Sequence, residues 1–196
     1  MYVALEGIDG CGKTSIIKKI KEDYPEVIRT REPGGSPLAE QIRSAVLTKE
    51  IVDNYDAFSI QVALLGARSD SVKYNSGYNN LISDRCFLSI AYSGIFPDSE
   101  EGIKLSKINS LICTRIPDPI IYLSISAETS VERLQSRKNF ESYDTIDIEV
   151  IKERIRCYEE WITFFRLQNI NIITVNANRS FQEVYEDVDA LLSFFK

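Results

Sequence analysis

The residues Gly7-Ile8-Asp9-Gly10-Cys11-Gly12-Lys13-Thr14 lie between an apolar run, Tyr2 to Glu6, and a segment of helical period that starts at Lys13. They satisfy the pattern G-x-x-x-x-G-K-[ST] in the strand-to-helix context that gives the pattern meaning. Its glycines let the backbone wrap closely enough to aim N–H groups at phosphate oxygens, and the helix N-terminus behind them carries positive dipole. Lys13 supplies a compact charge for β and γ phosphates, and the Thr14 hydroxyl is placed to coordinate Mg²⁺. Such a loop commits the start of the chain to a βα unit, and so to a parallel sheet that binds ligands at the carboxyl ends of its strands. No Asn-Lys-x-Asp segment follows, which disfavours a GTPase switch.

The rest of the sequence repeats that alternation, with short β-branched runs separated by longer stretches of helical period. Strands are predicted at Tyr2 to Glu6, Val27 to Thr30, Asn80 to Ser83, Ile120 to Ser124 and Asn171 to Val175. Helices are predicted from Lys13 to about Tyr24 with Ile16, Ile17 and Ile20 inward, around Leu38, Ile42, Ala45 and Val46, and over Ala57 to Val72. Further helices are predicted over Glu101 to Cys113, Ala127 to Ser136 and Asp147 to Leu167, and a last one with Phe181, Val184, Val188, Leu191 and Phe195 on one face. Ser180 and Glu183 form a capping-box pattern before that last helix. The polar breaks 31–37 and 137–144 belong at the ligand end of such a sheet. A chain of 196 residues with 44% hydrophobic content is read as one domain, 1–196.

Composition removes several classes of function. The chain contains no histidine, so Ser-His triads, imidazole acid-base catalysis and the commonest zinc ligands are absent. A net charge of −6 disfavours nucleic acid or an anionic membrane as the main partner. No apolar run approaches the roughly 20 residues needed to cross a bilayer. Cys11, Cys86, Cys113 and Cys157 are scattered with no C-x-x-C pair, and Met1 leads into a strand with no targeting region before it, so reduced thiols in a cytoplasmic protein are expected.

The other polar landmarks carry a family resemblance that runs from Leu5 almost to the C-terminus. Leu5-Glu6-Gly7-Ile8-Asp9-Gly10 through Thr14 resembles the F-E-G-x-D-G-x-G-K-[ST] loop of thymidylate kinases, with Leu for Phe. Arg31-Glu32-Pro33-Gly34-Gly35-Ser36 resembles their R-E-P-G-G-[TS] segment, a more specific signal than the phosphate loop alone. Asp84-Arg85 is similar to their D-R motif. Pro117-Asp118-Pro119 before Ile120-Ile121-Tyr122-Leu123, and then Glu132-Arg133, resembles the strand and helix ahead of their LID loop.

The resemblance implies a three-layer αβα P-loop fold, with a five-stranded parallel sheet, flanking helices and a short LID near 137–144. It also implies a homodimer and the reaction ATP + dTMP giving ADP + dTDP. By the same resemblance, Gly7 to Thr14 and Arg133 meet ATP. Asp9 meets the acceptor's 3′-hydroxyl or the metal, and Thr14 and Asp84 join it around Mg²⁺. Arg85 takes the acceptor phosphate, Arg68 the base, and Glu32, Pro33, Leu64, Ser89 and Tyr92 complete the dTMP site. Arg137 and Lys138 in the LID, with Lys13, Arg85 and Asp9, form the catalytic set. Gly10 stands where some members place an arginine, and resembles the kind that draws catalytic arginines from the LID. Without the family, Arg68 reads as a solvated helix charge, Asp84 and Arg85 as a buried ion pair, and Arg133 and Arg137, four apart on one helix face, as a basic patch.

The sequence departs from the family pattern at three places. Leu64 stands where a Phe usually stacks on thymine. Tyr92 follows Arg85 by seven positions where the family's ring follows by eight, a shift of about 100° on an α-helix. Ser142 stands where a second LID arginine is usual. These changes bear on selectivity, so dUMP or another deoxynucleotide is an expected acceptor beside dTMP. Two other readings remain: a deoxynucleoside kinase, a family that lacks the Arg31 to Gly35 segment, and a non-catalytic ATP-binding regulator, which the intact Lys13, Thr14, Asp84 and Arg85 argue against.

Overall fold

A computed structural model describes residues 1–136 and 145–192. Strand β1 (Tyr2–Glu6) enters the phosphate loop and then helix α1 (Lys13–Asp23). After it come β2 (Ile28–Arg31), α2 (Pro37–Val46), a short α3 (Lys49–Asn54), α4 (Ala57–Tyr74), β3 (Leu81–Asp84) and a 3₁₀ segment, Phe87–Ser93. The chain continues through α5 (Glu100–Ile112), β4 (Ile120–Ser124), α6 (Ala127–Gln135), α7 (Ile148–Arg166), β5 (Ile172–Asn176) and α8 (Phe181–Leu192). The five strands lie in the order β2-β3-β1-β4-β5, and every pairing is parallel. This is the expected P-loop architecture.

Burial follows sheet position. All five residues of β1 and four of five in β4 are buried, because helices cover both faces of the central strands. Edge strand β2 buries only Thr30. β2, β3 and β5 each run one residue later than predicted. Pairing of Arg31 with Asp84 and of Asn176 with Ser124 carries the ladder into Arg31, Asp84 and Asn176, polar residues that hydrophobic patterning leaves outside the strands.

Two elements differ in kind from expectation. Helix α3 has no buried residue and so no apolar stripe to betray it, although Thr48 caps it by accepting from the Ile51 N–H at 3.3 Å. The stretch after Arg85 is a 3₁₀ segment with about three residues per turn, where the family comparison implied an α-helix. Helix α2 buries only Ala39, with Leu38 half exposed, so its apolar spacing does not mark a core face. In α8 the buried face is Val184, Tyr185, Val188 and Leu192, while Phe181 is exposed and Phe195 lies outside the described residues. The Ser180 and Glu183 capping box forms: Ser180 N–H donates to Glu183 Oε2 at 3.0 Å and Glu183 N–H to Ser180 Oγ at 3.4 Å.

Helix α7 fastens the layer beneath the ligand edge. Trp161 stacks on Phe165 with ring centroids 5.2 Å apart, Phe87 meets Phe165 edge-on at 4.8 Å, and Trp161 Nε1 donates to Ile95 O at 2.7 Å. Tyr158, fully buried, stacks on Tyr122 of β4 at 5.4 Å. This packing sets Tyr158 and Arg154 of α7 against residues that follow β1 and β3.

Candidate active site

The connection leaving β1 runs through the phosphate loop and α1 to β2, while that leaving β4 runs the other way to β5, so the strand order reverses beside β1 and leaves an opening at the carboxyl edge of the sheet. A cavity of about 470 Å³ lies there. The phosphate loop forms one end through Asp9, Gly10, Gly12, Lys13 and Thr14, and α4 forms the other through Gln61, Leu64 and Arg68. Within the loop, Ile8 and Cys11 turn into the core, each 2% exposed, so any contact of theirs with a ligand is through backbone. Gly10 has φ +80°, and a Cβ there would lie 3.0 Å from Ser130 O, which leaves no room for a side chain unless α6 moves. Lys13 is 7% exposed and donates to Gly7 O at 2.6 Å and Ile8 O at 3.0 Å, so the loop's own carbonyls hold the ammonium.

Arg85 stands at the centre of the polar wall. Its backbone adopts φ 72°, uncommon outside glycine, and its N–H is fixed by Leu5 O at 2.9 Å. Nη2 donates to Asp9 Oδ1 at 2.9 Å, and Nη1 to Gly7 O and Tyr158 OH, both at 3.2 Å. Tyr92 OH donates to Asp9 Oδ2, and Arg154 Nη1 donates to Tyr92 OH at 2.8 Å while its guanidinium lies 4.0 Å from the ring centroid. Despite the one-residue shift, Tyr92 therefore reaches the cavity wall. Burial pushes the Asp9 carboxyl up, but Arg85, Lys13, the Tyr92 hydroxyl and Arg154 outweigh it and hold the group below the usual carboxylate range. Arg154 carries no signal in the loop motifs; only the packing of α7 brings it here.

Glu6 is a second residue whose place the sequence did not disclose. It is fully buried, and four donors converge on it: Cys86 N–H at 2.7 Å and Ser89 Oγ at 2.8 Å on Oε1, Tyr158 OH at 3.1 Å and Gly7 N–H at 3.2 Å on Oε2. One carboxylate thus joins the phosphate loop, the turn after β3 and α7. Ser89 spends its hydroxyl on Glu6 while still lining the cavity.

Along α4, Arg68 is only 3% exposed, which corrects its reading as a solvated helix charge. Nε donates to Glu32 Oε2 at 2.6 Å, Nη1 to Asn109 Oδ1 at 3.2 Å and Nη2 to Cys86 O at 3.2 Å, while Tyr2 OH donates to the other Glu32 oxygen at 3.0 Å. Burial raises the Glu32 carboxyl, and Arg68 and Tyr2 offset only part of that. The Arg31 to Ser36 segment is braced from outside, where Arg31 Nε and Gly35 N–H both donate to Glu40 Oε1 at 2.9 Å, and Arg31 pulls the Glu40 carboxyl down to about 2. Pro33, buried, accepts at its carbonyl from Arg43 Nη1 at 3.1 Å.

Thr14 is exposed at the cavity, and Asp84 lies on the same lining, with Arg29 Nη2 3.9 Å from its carboxylate. A hydroxyl and a carboxylate are hard donors suited to Mg²⁺. Among the described residues no cluster of three or more His, Cys, Asp or Glu could hold a metal by itself. Arg133 does not line the cavity: it donates to Gly10 O at 3.3 Å, Ala177 O at 2.9 Å and Arg179 O at 3.0 Å, tying α6 to the phosphate loop and to the turn after β5. Helix α6 spans Ala127–Gln135, and the helical face expected to be shared by Arg133 and Arg137 falls partly outside the described residues. Arg137, Lys138, Ser142 and the LID segment 137–144 lie outside the described residues.

A family model described as thymidylate kinase matches residues 5–188. The thymidylate kinase of Shouchella clausii is 30% identical over 200 residues, spanning 95% of this chain and 92% of that protein. That of Prochlorococcus marinus subsp. pastoris is 32% identical over 195 residues, spanning 88% and 90%. A solved structure of deoxyadenosine kinase from M. mycoides with bound dATP superposes with a TM-score of 0.71 at 22% identity, covering 98% of this chain and 99% of that one, a likeness of fold. A match that runs from the end of β1 into α8, joined to relatives aligned over nearly their whole length, settles the family: the chain belongs to the thymidylate kinases.

Proposed function

We propose that this chain transfers the γ-phosphoryl group of ATP to the 5′-phosphate of dTMP, and that it accepts dUMP or another deoxynucleotide beside it. The observation that carries the reading is a single cavity bounded by the phosphate loop at one end and by Leu64 and Arg68 at the other, with Arg85 between. In this reading the loop's N–H groups and Lys13 receive the ATP phosphates, Lys13 leaving the Gly7 and Ile8 carbonyls as they arrive. Arg85, oriented by Asp9, Gly7 O and Tyr158, holds the acceptor phosphate in line. Asp9 is the acceptor for the sugar's 3′-hydroxyl, and Glu32, Pro33, Ser89 and Tyr92 shape the pocket around it. Arg137 and Lys138 bring positive charge to the transferring group. Thr14 and Asp84 would hold Mg²⁺, which when bound would supply positive charge against the negative charge developing in the transfer. A dTMP phosphate is already anionic near neutral pH, so a chain without histidine loses nothing by having no imidazole base.

A homodimer in the cytoplasm is part of the same proposal. Cys11, Cys86 and Cys157 are buried free thiols and Cys113 is partly buried and free, as in a reducing compartment, and no helix of the described residues is long and apolar enough to cross a membrane. The test is steady-state ADP formation with ATP·Mg²⁺ and dTMP, dUMP, dGMP or UMP in turn. Turnover of dTMP supports the reading. Inert monophosphates with active deoxynucleosides would make the chain a deoxynucleoside kinase, and no ADP from either class would leave a nucleotide-binding regulator.

A further inference from the structure

Ala57, Ile60, Gln61, Leu64 and Arg68 of α4 all line the cavity, and their spacing puts them on one helical face. Gln61 is out of place on that face. It is 8% exposed, and its side-chain amide has no hydrogen-bond partner among the described residues. Elsewhere on the buried walls polar groups are paired: Arg68 is bonded to Glu32, Asn109 and the Cys86 carbonyl, and Ser89 to Glu6. Among the described residues the one side-chain polar atom sealed from solvent without a partner is Ser83 Oγ, so the Gln61 amide keeps access to solvent, and the space it lines is the cavity. An amide nine-tenths buried, unpaired and open to a ligand cavity is a group awaiting a partner.

We infer that Gln61 contacts the hydrogen-bonding edge of the acceptor's base; the inference rests on the acceptor being a nucleoside monophosphate. Gln61 and Arg68 stand seven residues apart, about 10 Å along the helix axis, with Leu64 between them. A ring lying on Leu64 has Arg68 at one side and Gln61 at the other. A carboxamide offers an acceptor beside a donor, the complement of N3–H beside a carbonyl in thymine or uracil. Turned over, it meets the reverse order shown by cytosine or adenine. Since Leu64 contributes apolar contact without ring stacking, the edge contact takes a larger share of base binding, and its reversibility makes that binding tolerant of more than one base.

The experiment compares dTMP with N3-methyl-dTMP, which lacks the N3–H donor, in the unmodified chain and in Gln61→Leu. The unmodified chain should favour dTMP by about 10-fold in kcat/KM, mostly through KM, and Gln61→Leu should bring that ratio close to one. Gln61→Glu, which keeps the shape but loses the donor, serves if the Leu variant folds poorly, and should weaken dTMP in the same direction. A ratio unchanged by both substitutions overturns the inference, because a packing role scales both acceptors alike. If the unmodified chain binds dTMP by calorimetry yet forms no ADP, the proposed reaction fails, and the same pair of ligands read by affinity still decides the contact. Absence of dTMP binding overturns both.

Discussion

Replacing Arg68 with Leu tests the buried pair most directly. Arg68 and Glu32 are each 3% exposed, and their charges meet at 2.6 Å. The substitution leaves the Glu32 carboxylate with the Tyr2 hydroxyl alone and takes one donor each from the Asn109 side chain, which keeps Cys113, and the Cys86 carbonyl, which keeps the Ser89 N–H. Removing one partner of such a pair costs roughly 3–5 kcal/mol, because the other charge stays buried without compensation. For a chain of this size that corresponds to a fall in Tm of roughly 6–20 °C. Burial has raised Glu32 above 4.5, and a carboxyl raised in the folded state stabilises fully below its unfolded value and loses that contribution as pH climbs through the folded one. Without Arg68 the folded value rises further, so the penalty should be larger near about pH 8 than near about pH 5. Urea unfolding of the Leu variant across that range measures it. Arg68→Leu combined with Glu32→Leu should recover most of the loss. A single variant within about 1 kcal/mol of the parent, or a double variant no more stable than the single one, would refute the reasoning.

Other substitutions separate the remaining roles. Lys13→Ala should lower dTMP-dependent ADP formation by at least about 10²-fold, since no other side chain in the phosphate loop carries positive charge. Glu6→Gln replaces an acceptor of four hydrogen bonds with a group that accepts through one oxygen only, and should cost about 1–3 kcal/mol in denaturant unfolding along with a fall in kcat. Stability unchanged in that variant would mean that the four donors find other partners. Arg137→Ala should lower kcat with little change in dTMP affinity, and an unchanged kcat would move that role to Lys138.

Motif chemistry is local and therefore legible in sequence. The phosphate loop, the Arg31 to Gly35 segment and Asp84-Arg85 each need particular residue types at fixed spacing, and alternating apolar runs give the parallel sheet because burial on both faces leaves no polar alternation. Spacing could not reveal Arg154, whose approach to Tyr92 depends on how α7 packs on the 3₁₀ segment, or Glu6, three of whose four donors come from two distant parts of the chain. The same limit applied to Arg68, a helix charge in sequence and a buried partner of Glu32 in the fold. Sequence determined the five strands and the longer helices between them, the phosphate cradle and the family to which the cradle belongs. Tertiary structure alone decided which polar groups are paired and which, like Gln61, face the cavity without a partner, because pairing depends on distances between segments that sequence separation does not encode.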